Sequence, residues 1–243
     1  MKNILITGAT SGIGFATAEL FVNQGNQVWI TGRKQETLDN AKAILGSENI
    51  HTIASDTSKL DDIKQLVETF KTQNIKFDTV FLNAGIAEFN AIESVTEEEF
   101  DAQFNTNVKG VFFMIQQIIP YLNKEASIII NGSTNATATG IGSSVYAATK
   151  TAVIKIAKVA ANELADRKIR VNVVSPGPTL TQGLQNAVPD EALNFLAEKT
   201  ALQRLALPEE IGKVVEFLSS EKSSFITGTE IIVDGGLINY TLR

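Results

Sequence analysis

The chain has 243 residues, 44% hydrophobic and 20% charged, which is enough for one sizeable core in a soluble globular protein. Its formal net charge of -6 and pI of about 5.0 argue against nucleic-acid and membrane partners, which require clustered Lys and Arg. The absence of cysteine excludes disulfides, thiol catalysis and Cys-held metal, and one histidine, His51, cannot build a metal cluster and would have to carry any Ser-His-Asp triad alone.

Met1-Lys2-Asn3 leads straight into the apolar run Ile4 to Ile6 without a cleavable signal pattern, and no apolar stretch approaches the length of a membrane span, so a cytoplasmic protein is expected. Short β-branched runs predict strands at Asn3–Thr7, Gln27–Thr31, Ile50–Ala54, Thr79–Asn83, Ser127–Asn131, Arg170–Val174 and Glu230–Val233. Between them, helical patterns cover about Gly12–Asn23, Lys34–Leu45, Leu60–Gln73, Thr96–Leu122, Ser143–Asp166 and Pro208–Ser219. Continuous apolar strands such as Ile128-Ile129-Ile130 are those of a parallel sheet covered on both faces. The alternation therefore predicts a doubly wound α/β fold with a seven-stranded parallel sheet, as one domain over residues 1–243. Ser175 to about Lys199, punctuated by Pro176, Pro178 and Pro189, reads as one long irregular region, a binding loop or lid.

Thr7 to Gly14 reads T-G-A-T-S-G-I-G after the first strand and opens the first helix, the context of a phosphate-binding turn. Glycines at 8, 12 and 14 let the backbone approach a pyrophosphate at the positive end of the helix, with Thr10, Ser11 and Ile13 beside them. A purely structural glycine turn is the competing reading. The second strand ends Trp29-Ile30-Thr31-Gly32-Arg33-Lys34, where an NAD-binding chain carries a carboxylate for the adenosine ribose. Here Gly32 takes that place and Arg33 follows, so a 2′-phosphate has a cation to meet and NADP is favoured, with NAD still possible. Arg33 otherwise only solvates a loop.

From Ser133 to Lys150 the chain carries a hydroxyl, a phenol and an ammonium at positions that can converge. Tyr146 and Lys150, four residues apart, share one face of a helix. A lysine cation within about 4 to 6 Å of a phenol favours the phenolate, so Tyr146 is expected to have a lowered pKa and to act as a proton donor and acceptor. Taken alone, Tyr-x-x-x-Lys is also a common accident on exposed helices.

With the glycine turn, Asn83-Ala84-Gly85, Ser133, Tyr146-x-x-x-Lys150 and Pro176-Gly177 in that order, the chain resembles a short-chain dehydrogenase/reductase, and is similar to members that reduce 3-oxoacyl thioesters; the resemblance extends equally to sugar dehydrogenases and reductases of small ketones, which no residue here separates. The resemblance runs from Asn3 to Gly236 and implies a Rossmann fold and NADP-dependent transfer of a hydride between the nicotinamide and a carbonyl or secondary alcohol. It implies Tyr146 as the acid/base, Ser133 as the group holding the reacting oxygen, and Lys150 on the nicotinamide ribose. Asn107 would support a water relay from that lysine. It further implies Asn83, Ala84 and Gly85 beside the adenosine ribose, and Asp56 and Thr57 at the adenine. Pro176, Gly177, Thr179 and Thr181 would lie around the nicotinamide carboxamide and diphosphate. On the residues alone, Asp56 reads equally as a helix cap, Asn107 as a packed polar residue and Ser133 as a strand-end hydroxyl.

In the family, the helices carrying Asn107 and Tyr146 and the region Ser224 to Gly236 pair across subunits, so a homotetramer is expected. Asn135 to Ser144 and Leu180 to Lys199 should select the substrate, and their few charges suit an uncharged or mildly polar carbonyl. A sensor that binds NADP(H) without turnover is the alternative reading of the same fold. It would have no need of the tyrosine, lysine, serine and asparagine together.

Overall fold

The computed structural model describes residues 1–239. Seven parallel strands form one sheet: β1 (Asn3–Ile6), β2 (Gln27–Gly32), β3 (Ile50–Ala54), β4 (Phe77–Leu82), β5 (Leu122–Asn131), β6 (Arg170–Pro176) and β7 (Glu230–Val233). Their spatial order is β3-β2-β1-β4-β5-β6-β7. Chain direction through the sheet reverses between β1 and β4, which opens a crevice at the carboxyl ends of those two strands.

Both faces are covered because side chains alternate along each strand. In β1, Ile4 and Ile6 join one core with α1 (Gly12–Asn23), α2 (Gln35–Leu45) and α9 (Pro208–Ser219), while Leu5 joins the other. That second core holds α3 (Leu60–Thr72), α5 (Val111–Ile118) and α6 (Ser144–Glu163), with Phe70, Phe77, Met114 and Val153 all buried. The doubly wound, single-domain expectation holds.

Three expected element bounds are corrected. The helix expected over Thr96–Leu122 is α4 (Glu97–Phe104), a π-helical segment Asn105–Gly110, and α5. The wide turn goes with a close approach: a methyl group on Gly110 would fall inside contact distance of the Thr57 carbonyl oxygen and 2.6 Å from its Cγ2. The fifth strand starts at Leu122, not Ser127, because Leu122 pairs with Phe77 across a register irregularity and Glu125 takes a positive φ of 67° to rejoin the ladder. Finally, Ser175–Lys199 is not irregular throughout. It ends β6 and holds α7 (Gln182–Ala187), which the Thr181 hydroxyl caps by accepting from Leu184 N, and α8 (Asp190–Glu198).

Gly110→Ala is therefore expected to lower stability by about 1 to 3 kcal/mol through overpacking. A melting curve with a midpoint unchanged from wild type would show that the π segment yields freely.

Candidate active site

The crevice between β1 and β4 is a cleft of about 340 Å³. Of the residues expected at a nucleotide, Gly8, Thr10, Ser11, Gly12, Ile13, Arg33, Asp56, Thr57, Asn83, Ala84, Gly85 and Thr181 line it. The glycine turn is held against the end of β4 by side-chain bonds that the sequence did not announce. Thr7 Oγ1 accepts from Asn83 N (3.0 Å) and Ala84 N (3.1 Å), and Asn83 Nδ2 donates to Gly8 O (2.8 Å) and Thr7 O (3.1 Å). Gly8 needs its lack of a side chain here: its φ is +63°, and a Cβ would lie 2.8 Å from Ala84 Cα.

The remaining expected residues stand behind the lining. Gly14 packs under the turn against Asn83 and Gly8. Pro176 ends β6, Gly177 lies against Asp234, and buried Thr179 donates to Gly177 O (3.0 Å). Asp56 uses Oδ1 to accept from both Ser58 N and Ser58 Oγ, so it shapes the turn before α3 while facing the cleft. The N-cap of α3 is Lys59, which sets aside the reading of Asp56 as the helix cap.

Whether a dinucleotide fits can be tested on the protein itself. The N-terminus of α1 has no side-chain cap and no acidic residue in its first turn, so its free N–H groups and dipole face the cleft unopposed by negative charge. Arg33 is exposed at the cleft wall and makes no hydrogen bond or ion pair among the described residues. Two residues that line the cleft, Ser55 and Asn131, carry buried oxygens without a partner, Ser55 Oγ and Asn131 Oδ1. Anion-binding amides, a free guanidinium and unused polar atoms together suit a nicotinamide dinucleotide.

The catalytic candidates stand outside the lining of the cleft and come together behind two residues that do line it, Gly85 and Asn131. Lys150 is buried and donates to Asn131 O (2.7 Å), and a methyl group on Gly85 would lie 3.5 Å from Lys150 Nζ. α6 turns Tyr146 to the same side, with Lys150 Nζ 5.6 Å from the ring centroid. Ser133 Oγ accepts from Asn135 N (3.1 Å), which leaves its own proton free to donate elsewhere. Asn107 sits in the π segment and is fully bonded: Nδ2 donates to Ile86 O (2.8 Å) and Thr149 Oγ1 (3.1 Å), and Oδ1 accepts from Ile86 N (2.9 Å). Its side chain ties the β4 loop to α6 and so fixes the distance between Gly85 and Lys150.

The expected lowering of the Tyr146 pKa is reversed. Burial of the hydroxyl end raises it, and interaction with the Ser133 hydroxyl only partly offsets that, although the residue as a whole is half-buried. The lysine responds oppositely: burial lowers Lys150 to about 8. Sequence spacing conveys that two groups are neighbours but not how dry their surroundings are.

A linkage follows from the lysine. Its unfolded pKa exceeds its folded value, so between pH of about 8 and 10.5 the unfolded chain holds more protons and stability rises with pH. Across that window Lys150 is expected to add a pH-dependent gain of about 3 kcal/mol, absent in Lys150→Met, as read by urea midpoints. Equal slopes for the two proteins below the tyrosine range would contradict it.

Among the described residues no group of His, Cys, Asp or Glu could hold a metal, and no helix is long and apolar enough to cross a membrane.

The parallel seven-stranded sheet thus carries a glycine turn at its switch point, with a serine, a tyrosine and a lysine gathered behind the cleft that opens there. The chain belongs to the short-chain dehydrogenase/reductase family: the family model described as Enoyl-(Acyl carrier protein) reductase matches residues 8–238. Among its relatives, "Oxidoreductase asL5" of Sarocladium schorii is 39% identical, covering 97% of this chain and 95% of that one. The 3-oxoacyl-(acyl-carrier-protein) reductase FabG of Thermotoga maritima is 37% identical, over 98% of both chains. The solved short-chain dehydrogenase/reductase described as a glucose/ribitol dehydrogenase from Brucella melitensis superposes with a TM-score of 0.92 at 33% identity, covering 99% of this chain and 97% of that one.

Proposed function

We propose that this oxidoreductase interconverts a carbonyl compound and its secondary alcohol with NADP(H) in preference to NAD(H). The observation that carries the reading is the gathering of Ser133, Tyr146 and Lys150 beside Gly85, just behind the lining of the cleft, with Arg33 free at its wall. Bound in the cleft, the nicotinamide would supply or accept the hydride.

The protein's part is protonation and charge control. Ser133, its oxygen already engaged as an acceptor from Asn135 N, donates to the substrate oxygen and stabilises its developing charge. Tyr146, kept protonated at neutral pH by burial, gives its proton to that oxygen during reduction and takes it back during oxidation. The Lys150 ammonium tempers the phenolate left behind, and Asn131 and Asn107 hold the lysine and the β4 loop in place. Gly8, Thr10, Ser11, Gly12, Ile13, Asp56, Thr57, Asn83, Ala84 and Thr181 would hold the dinucleotide, with Gly14, Pro176, Gly177 and Thr179 shaping the walls behind them.

Two neighbouring hydroxyls, those of Ser133 and Tyr146, suit a reacting oxygen, which changes its protonation when a ketone becomes an alcohol. This favours carbonyl chemistry, as in the name of the Thermotoga relative, over reduction of a carbon–carbon double bond, as in the description of the family model. A homotetramer and a cytoplasmic setting belong to the same proposal. The test is stoichiometry: incubating the protein with NADPH and a panel of 3-oxoacyl thioesters, diketones, aldehydes and keto sugars should yield one alcohol per NADPH consumed. Tight NADPH binding with no alcohol from any of them would favour the sensor instead.

A further inference from the structure

We infer that Phe89 determines specificity, selecting free, uncharged carbonyl compounds that carry an aryl or bulky alkyl group beside the reacting carbon; this rests on the carbonyl-reductase reading above. Phe89 lies outside every motif that suggested the site. Its ring packs edge-on against Tyr146, with centroids 5.7 Å apart and planes at 63°, yet half of the residue remains open to solvent (50%). An aromatic ring that touches the proposed proton donor and is left half uncovered offers apolar surface where a substituent on the reacting carbonyl must pass.

The ring is also held in place from both sides. Asn90 N donates to Gly142 O (3.0 Å) in the loop that follows Ser133, and Asn90 Nδ2 donates to Glu99 Oε1 (2.8 Å) at the start of α4. On the other side, Glu88 exchanges backbone bonds with the buried side chain of Gln103: its N–H donates to Oε1 (3.4 Å) and its carbonyl accepts from Nε2 (3.3 Å). Phe89 is thus carried between two anchored residues, the arrangement that pre-organises a binding wall and spares the ordering of a loop on binding.

Charge narrows the substrate further. Between Ile86 and Phe104 the chain carries Glu88, Glu93, Glu97, Glu98, Glu99 and Asp101 and no Lys or Arg. Of these, Glu88 precedes Phe89 and Glu99 is bonded to Asn90 on its other side, so a substrate with a carboxylate beside its carbonyl, or one delivered on an acidic carrier protein, would meet like charge there. A neutral aryl or alkyl ketone would not.

The experiment compares diacetyl with acetylbenzoyl, which exchanges a methyl for a phenyl group, and with benzoylformate, which keeps the phenyl but adds a carboxylate. Wild type is expected to prefer acetylbenzoyl to both others in kcat/KM. Phe89→Ala should lower kcat/KM for acetylbenzoyl roughly 10- to 100-fold, mainly through KM, and change diacetyl by no more than about twofold. Phe89→Leu, which keeps apolar surface, should recover much of the loss, and NADPH affinity should be the same in all three proteins.

Equal losses on diacetyl and acetylbenzoyl would mean that Phe89 merely supports Tyr146 and would overturn the inference. So would an unchanged preference in Phe89→Ala, or benzoylformate reduced as well as acetylbenzoyl. Absence of turnover on all three ketones would also overturn this substrate class, and the wider carbonyl panel would then decide separately whether the reductase reading stands.

Discussion

Tyr146→Phe is expected to lower kcat for carbonyl reduction by roughly 10²- to 10⁴-fold while leaving the Kd for NADPH within about threefold of wild type. The substitution removes one oxygen from a ring whose packing against Phe89 it leaves intact, so the loss isolates the proton. The environment of that oxygen sharpens the expectation. Burial raises the phenol's pKa, which keeps the donor protonated through neutral pH but makes the phenolate left after transfer unfavourable unless a cation is near. Lys150 is that cation, and its own value of about 8 means that it discharges as pH rises through that point. Reduction should therefore slow above pH of about 8, and single-turnover rates in buffers on either side of it would reveal the change. A Tyr146→Phe protein within tenfold of wild type would place the proton donor elsewhere.

The second large effect is at the wall of the cleft. Arg33→Asp is expected to weaken NADPH binding roughly 100-fold, because it removes a charge-assisted contact and sets a carboxylate against the 2′-phosphate. NADH, which has no phosphate there, should bind as well as before or better, since a carboxylate at this position can accept from the ribose hydroxyls. Fluorescence titration of the two reduced nucleotides separates the effects without any substrate. Arg33 has no ion pair among the described residues to lose, so the fold should tolerate the change. An NADPH affinity unaffected by Arg33→Asp would leave cofactor preference without its proposed source.

Much of this molecule is legible in the chain, for reasons that can be named. A strand buried on both faces must be apolar throughout, so Ile4–Ile6 and Ile128–Ile130 declare themselves. A turn with a positive φ, in which a Cβ would lie 2.8 Å from Ala84 Cα, must be glycine, so Gly8 does too. What stayed hidden depends on tertiary approach. The π segment at Asn105–Gly110 lies in a stretch that reads as unbroken helix, and only the contact of Gly110 with Thr57 exposes it. α7 and α8 are short and separated by Pro189, so neither builds enough periodicity to be seen, though Thr181 in front of α7 was a capping signal within reach.

The site divides in the same way. The groups proposed to act on substrate stand in recognisable spacings, whereas Thr7, Ile86, Asn131 and Thr149, which hold them in place, are ordinary residues whose hydrogen bonds cross long sequence separations. The Tyr146 pKa shifts against the expectation because two residues on one helix face fix a separation, while the sign of the shift belongs to the burial that surrounds them. Phe89 carried no motif, and only its contact with Tyr146 gives it meaning.

The most direct test follows the hydride. Incubating the protein with NADPH deuterated at the transferring carbon and with acetylbenzoyl or another responsive carbonyl should place deuterium on the carbinol carbon of the alcohol. With Tyr146→Phe the label should accumulate roughly 10²- to 10⁴-fold more slowly. A protein that binds NADPH tightly but passes no deuterium to any carbonyl, and takes no hydride back from the alcohols, would contradict the proposed chemistry and leave a nucleotide sensor in its place.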